Sequence, residues 1–205
     1  MHYWDFSPFR WYRPVWDYGN KPAVIGLGIV MVGQGVYTNN NGMWFGDGRS
    51  VVAAPINWSV HSFTVDAWFK FYDAVGGDII ETTSPQPYYY RIRFTGPNTV
   101  TFTVNGGSVS TTFTFVPLTD YNKWFIVQVS AARQSETESN LCVKMNDEPI
   151  VCSLQTAVYD DWSTGIRQNV QMIGAGLSGY IRKIKIYDYP KTEPSMELMY
   201  KTSPQ

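Results

Sequence analysis

Nine residues, FTVDAWFKF from Phe63 to Phe71, alternate strictly: Phe63, Val65, Ala67, Phe69 and Phe71 fall on one side, Thr64, Asp66, Trp68 and Lys70 on the other. Successive side chains of a strand point to opposite faces, so this is the pattern of a half-buried β-strand. The same period recurs in Tyr88–Thr95, Val100–Val104 and Val109–Phe115. Gly96-Pro97-Asn98 and Asn105-Gly106-Gly107 separate these runs, and Asn-Gly supplies the positive φ that tight hairpins require. The middle of the chain is therefore expected to be an antiparallel meander. Trp124–Val129 is nearly all apolar, which predicts a strand covered on both faces. Leu141–Met145 and Ile150–Leu154 read as a hairpin around Asn146-Asp147. Val170–Ile173 and Gly179–Tyr187 read as the last strands, and Ala131–Asn140 reads as a polar loop. Only Thr192–Lys201 reads as a helix, with Thr192 able to cap and Pro194 in the first turn. Many short strands with almost no helix imply an all-β sandwich or barrel.

The chain has 205 residues, enough for one large domain, and no repeat or linker divides it, so residues 1–205 are read as a single domain. Charge excludes some partners. Lys plus Arg number 16 and Asp plus Glu 17, which gives no general attraction for nucleic acid. The apolar stretch Pro22 to Gly35 is shorter than the roughly 20 residues that span a bilayer, and reads as one or two buried strands. No membrane insertion is expected. Aromatic residues abound, with 8 Trp, 14 Tyr and 11 Phe. Eight of them lie between Tyr3 and Tyr18, and any that do not fold inward would form an apolar patch suited to self-association.

Four stretches taken in order resemble a laminin G-like domain of the concanavalin A-like lectin/glucanase jelly-roll superfamily. They are FTVDAWFKF (63–71), DYNKWFIVQVS (120–130), VKMNDEPIV (143–151) and MIGAGLSGYIRKIKIYDYP (172–190), preceded by GMWFGDG (42–48). The resemblance implies a two-sheet antiparallel β-sandwich with one short C-terminal helix. It also implies secretion or a cell-surface location, and a role in recognition or adhesion. Two positions depart from the family pattern. Its usual Asn-Gly turn is here Asn146-Asp147, and Arg182 stands where an acid is often found. The E-x-D-x-E strand of the superfamily's glucanases is absent.

Catalysis finds little support. Retaining glycosidases need two carboxylates about 5 Å apart. Asp78 and Glu81 flank the strand GDIIETT, and their odd spacing predicts opposite faces. His2 and His61 are the only histidines, and both read as strand-end residues. No phosphate-binding glycine loop precedes a helix. No cofactor is required. Asp47, Asp160 and Asp161 are loop acids of the kind calcium uses, which makes them candidate ligands beside the simpler reading as solvated turn residues. Asn57-Trp58-Ser59 is a glycosylation sequon, relevant in a secreted protein.

The two cysteines, Cys142 and Cys152, flank the short hairpin. A two-residue turn at Asn146-Asp147 sends their sulfurs to opposite faces. A three-residue loop, Asn146 to Glu148, places them directly across from each other and requires positive φ at Glu148. The resemblance to secreted domains favours a disulfide, reached by a bulge or longer loop.

These readings converge on a non-catalytic recognition module, extracellular, binding glycan or a partner protein. Trp68, Lys70, Tyr89, Arg91 and Arg93 are the expected ligand face, because they mix flat rings with fixed donors and the arginines suit anionic glycans. A structural or adhesive building block is the alternative, and a glycoside hydrolase the second.

Overall fold

The computed structural model describes residues 2–5, 30–32, 38–39, 42–46, 50–53, 61–72, 75–82, 89–96, 98–116, 119–121, 123–158, 171–193 and 195–196. Its strands, in chain order, are β1 His2–Asp5, β2 Val30–Val32, β3 Thr38–Asn39, β4 Gly42–Phe45, β5 Ser50–Ala53, β6 Phe63–Phe71, β7 Gly77–Thr82, β8 Tyr90–Gly96, β9 Thr99–Val104, β10 Gly107–Thr112, β11 Phe125–Arg133, β12 Ser139–Met145, β13 Val151–Gln155, β14 Gln171–Ile173 and β15 Gly179–Tyr187. They form two antiparallel sheets. The first runs β13-β12-β11-β6-β15-β4-β3, with β1 also on β15; the second runs β10-β9-β8-β7-β14-β5-β2. The molecule is a jelly-roll β-sandwich.

The alternation dictates what lies between the sheets. Phe63, Val65, Ala67, Phe69 and Phe71 of β6 face inward and are fully buried. Their rings meet those of the second sheet: Phe63 lies 5.0 Å from Tyr90 and 6.1 Å from Phe102, and Phe71 lies 4.8 Å from Phe94. Tilted and edge-on rings at these separations add specific geometry to the area they remove from water. Between β9 and β10, Asn105 (φ 47°) and Gly106 (φ 97°) make the expected turn with both central residues at positive φ.

Two expectations are corrected. The other face of β6 is not solvated: Thr64, Asp66, Trp68 and Lys70 are buried too. The chain after β15 folds back over that face. Thr64 Oγ1 donates to the Tyr189 carbonyl at 2.9 Å, the Lys191 amide donates to Thr64 Oγ1 at 2.8 Å, and Lys191 Nζ pairs with Asp66. Burial raises the Asp66 pKa, with Lys191 opposing that rise. Second, the polar loop after β11 is shorter than Ala131–Asn140. β11 runs to Arg133 and β12 starts at Ser139, because Gln134 donates to the Glu138 carbonyl and closes the hairpin early. Of the expected terminal helix the first turn is described, with the Ser195 and Met196 amides both donating to the Thr192 carbonyl. Residues 197–201 lie outside the described residues, as do the N-terminal aromatics between residues 6 and 18.

At the first sheet's edge, Cys142 faces Cys152 and the two form a disulfide, with Cα atoms 4.1 Å apart. The register is that of the longer loop. Positive φ falls on Asn146 (49°) rather than on Glu148, an easier position for a short amide side chain. The Lys144 ammonium, donating to the Glu148 carbonyl at 2.6 Å, holds the loop.

Candidate functional site

The meander puts two rows of polar side chains across the outside of the second sheet. Glu81 pairs with Arg91, Arg91 with Thr103 and Thr103 with Ser108; Asp78 pairs with Arg93, Arg93 with Thr101 and Thr101 with Ser110. Tyr89 precedes the first row. Asn105 fixes its backbone, accepting from the Tyr89 amide at 2.9 Å and donating its own amide to the Tyr89 carbonyl at 3.1 Å. Together Tyr89, Arg91, Arg93, Thr95, Thr101 and Thr103 line an open depression of about 440 Å³.

A β-bulge decides the electrostatics. Register shifts between Asp78 and Ile80, and Ile79 and Ile80 both face the core. The extra residue brings Asp78 and Glu81 to the same outer face, contrary to the expectation from their spacing. Both acids then meet Arg91. Its Nε donates to Asp78 Oδ1 at 2.6 Å and its Nη2 to Asp78 Oδ2 at 2.8 Å; Glu81 Oε1 lies 3.8 Å from Nε. This fork-to-fork pair raises the Arg91 pKa and fixes the guanidinium plane. The Tyr89 hydroxyl donates to Glu81 Oε1 at 3.0 Å; burial, and then that bond, raises its pKa. Arg93 is 47% exposed, and its Nε lies 3.9 Å from Asp78 Oδ1. Two guanidinium and two carboxylate charges therefore cancel across the depression. Thr95, Thr101 and Ser110 pass hydroxyl hydrogen bonds along it at 3.0 and 2.9 Å.

What this arrangement offers is hydrogen bonding from fixed groups. Hydrolysis of a glycosidic bond needs one carboxyl group to carry a proton and a second free to attack or to activate water. Here both Asp78 oxygens accept from Arg91, and Glu81 accepts from Tyr89. His61, two residues before β6, meets Arg133 Nη1 at 2.7 Å.

The five residues expected to share a ligand face are divided between two. Tyr89, Arg91 and Arg93 come together on the second sheet. Trp68 and Lys70 lie on the outside of the first sheet, each only 6% exposed. The Lys185 ammonium stacks 5.5 Å over the Trp68 ring. Asp78 already occupies the fork of Arg91, which leaves Arg93 as the more exposed guanidinium of the two. The sequence reading named Asp78 and Glu81 but put them on opposite faces, and it missed the threonine rows. Two adjacent isoleucines inside the polar-flanked strand GDIIET are the sign of the bulge that would have put the acids on one face. Calcium candidates Asp47, Asp160 and Asp161 and the sequon residue Asn57 lie outside the described residues. Among the described residues, no three metal-ligating side chains gather.

No protein-family model matches the chain, and no curated protein matches it. Solved structures do. The receptor-binding domain of botulinum neurotoxin D is 14% identical, with a TM-score of 0.62, over 98% of this chain and 52% of that one. Botulinum neurotoxin type C, whose cell entry depends on interaction with two ganglioside molecules, is 15% identical with a TM-score of 0.65, over 98% and 50%. The binding domain of botulinum neurotoxin DC, in complex with SialylT, is 12% identical with a TM-score of 0.64, over 98% and 50%. At these identities the likeness is one of fold. The chain spans about half the length of the structures it matches.

Proposed function

We propose that this chain is a non-catalytic glycan-recognition module of the laminin G-like kind, working outside the cell. The observation that carries the reading is the open depression on the second sheet. Arg91, locked by Asp78, and Tyr89, locked by Glu81, present donors and a ring whose positions are set before a ligand arrives. Preorganised donors lose little freedom on binding, which is what weakly interacting sugar hydroxyls need. Because the charges cancel, the depression suits uncharged sugars. The cross-strand disulfide supports an oxidising compartment. The glycan-binding neurotoxin domains of like fold support the ligand class.

A glycan array with intact protein and with Arg93→Ala tests this. Neutral glycans are expected to be retained by the intact protein and weakened about tenfold in the variant, the loss of one charge-assisted hydrogen bond. Repeating the array with a chelator reads any calcium dependence through Asp47, Asp160 or Asp161. An array without retained glycans, combined with concentration-dependent sedimentation, would instead favour an adhesive building block.

A further inference from the structure

On the outside of the first sheet a second row crosses four strands. Tyr180 of β15 pairs with Lys70 of β6 on one side and with Trp44 of β4 on the other. Trp124, one residue before β11, continues the row beyond Lys70. The Lys70 ammonium lies 5.2 Å from the Trp124 ring centre and 4.9 Å from that of Tyr180. Trp44 stands edge-on to Tyr180 and to Tyr72, each at 4.9 Å, and Tyr72 is 53% exposed.

A second cation joins this row through a bulge. Register on β15 shifts between Ile181 and Lys183, both Ile181 and Ile184 face the core, and Arg182 is the extra residue on the outer side. Its guanidinium lies 5.7 Å from the same Trp124 ring. Among the described residues no carboxylate or carbonyl meets Lys70 Nζ, and Arg182 Nε is sealed from solvent without an acceptor. Burial lowers the Lys70 pKa. Buried charges are ordinarily paired, and a cation over a ring recovers only about 0.5–2 kcal/mol. The row thus holds two cations and an orphaned donor that no anion answers among the described residues.

We propose that this row is a second binding site, for a sugar bearing a carboxylate. The carboxylate would accept from Lys70 Nζ and from the outer nitrogens of the Arg182 guanidinium, and the pyranose ring would lie against Trp124. A singly charged, partly apolar ligand fits better than a bare anion. The cations are ringed by aromatic faces that attract C–H groups, and a heavily hydrated ion would lose its water there for two donors. This assignment is independent of the depression on the opposite sheet.

The test compares methyl glucuronide with methyl glucoside, which differ only in carboxylate against hydroxymethyl, on the full chain. Tryptophan indole NMR signals report binding. The glucuronide is expected to shift indole signals at millimolar concentration and the glucoside to leave them in place. Lys70→Met and Arg182→Gln should each weaken the glucuronide about tenfold or more. Arg93→Ala should leave it unchanged, so loss of the neutral-glycan site reads out separately. Lys70→Met should melt no lower than the intact protein, because it removes an unpaired buried charge and keeps the stem. Equal response to both sugars, no response to either, or acetate matching the glucuronide would overturn the assignment. So would a large stability loss in Lys70→Met, which would mean that the ammonium already has its partner.

Discussion

Arg91 and Lys70 each sit within a row of side chains crossing four strands on the outside of a sheet, yet Arg91 meets two carboxylates and Lys70 meets two rings. On the second sheet the charges lie near water and cancel, which keeps a sheet face soluble and its donors fixed. In the first sheet's row Lys70 is withdrawn from water and, among the described residues, meets no acid, whereas Asp66 on the same strand is answered by Lys191. Both arrangements depend on a single extra residue, Ile79 in β7 and Arg182 in β15. One bulge brings two acids to a cation; the other adds a cation where, among the described residues, no acid meets it. A bulge can therefore set the charge of a sheet face without changing composition.

The largest separation between the faces should appear in stability. Trp68→Ala is expected to lose about 3–5 kcal/mol, since it leaves a cavity under Lys185 and the returning chain. Arg93→Ala, on the open face, should stay within about 0.5 kcal/mol. Urea titrations of both variants measure the contrast, and similar losses would erase it. A middling effect is expected at the edges. The first sheet ends on a strand stapled by Cys142–Cys152, and Cys152→Ser should lose about 2–3 kcal/mol for so short a loop. Mass spectrometry of unreduced, denatured protein checks the bond itself, because two alkylatable thiols would remove the staple.

The smallest expected effect is one of pH. Asp66 has its folded pKa raised above 3.8, so the folded state binds that proton more readily than the unfolded chain. Its contribution to stability is fully present below 3.8 and lost as pH rises through the folded value. Intact protein should therefore gain stability relative to Asp66→Asn as pH falls toward 4. A constant difference across that range would mean that Lys191 compensates Asp66 completely.

Much of this sandwich was legible. β6 and β15 were read with their bounds intact, β6 because its apolar positions repeat without interruption over nine residues and β15 because isoleucines recur along it between turn residues. The turn at Asn105-Gly106 was legible because its backbone conformation demands those residues. The site was not. Alternation says that Trp68 and Arg91 both point outward, but not that they point outward from different sheets. That depends on strand order, which arises from pairings across more than a hundred residues. Nor does alternation show that an outward face is roofed by a later segment, as Asp66 is by Lys191. The bulge at Arg182 did leave a trace. Ile181, Ile184 and Ile186 are spaced by three and then two, and a strand whose apolar period slips by one carries an extra residue.

The topology has a consequence for how the chain assembles during synthesis. Each sheet has a strand from late in the chain at its middle: β15 lies between β6 and β4, and β14 between β7 and β5. Until those strands emerge from the ribosome, four others present unpaired edges, and neither half of the core can close. The Asp66–Lys191 pair, 125 residues apart in sequence, can form only after all fifteen described strands have been made. Shortened products ending before β14 should therefore carry open strand edges throughout their lifetime. They are the species of this protein expected to aggregate or to need a chaperone.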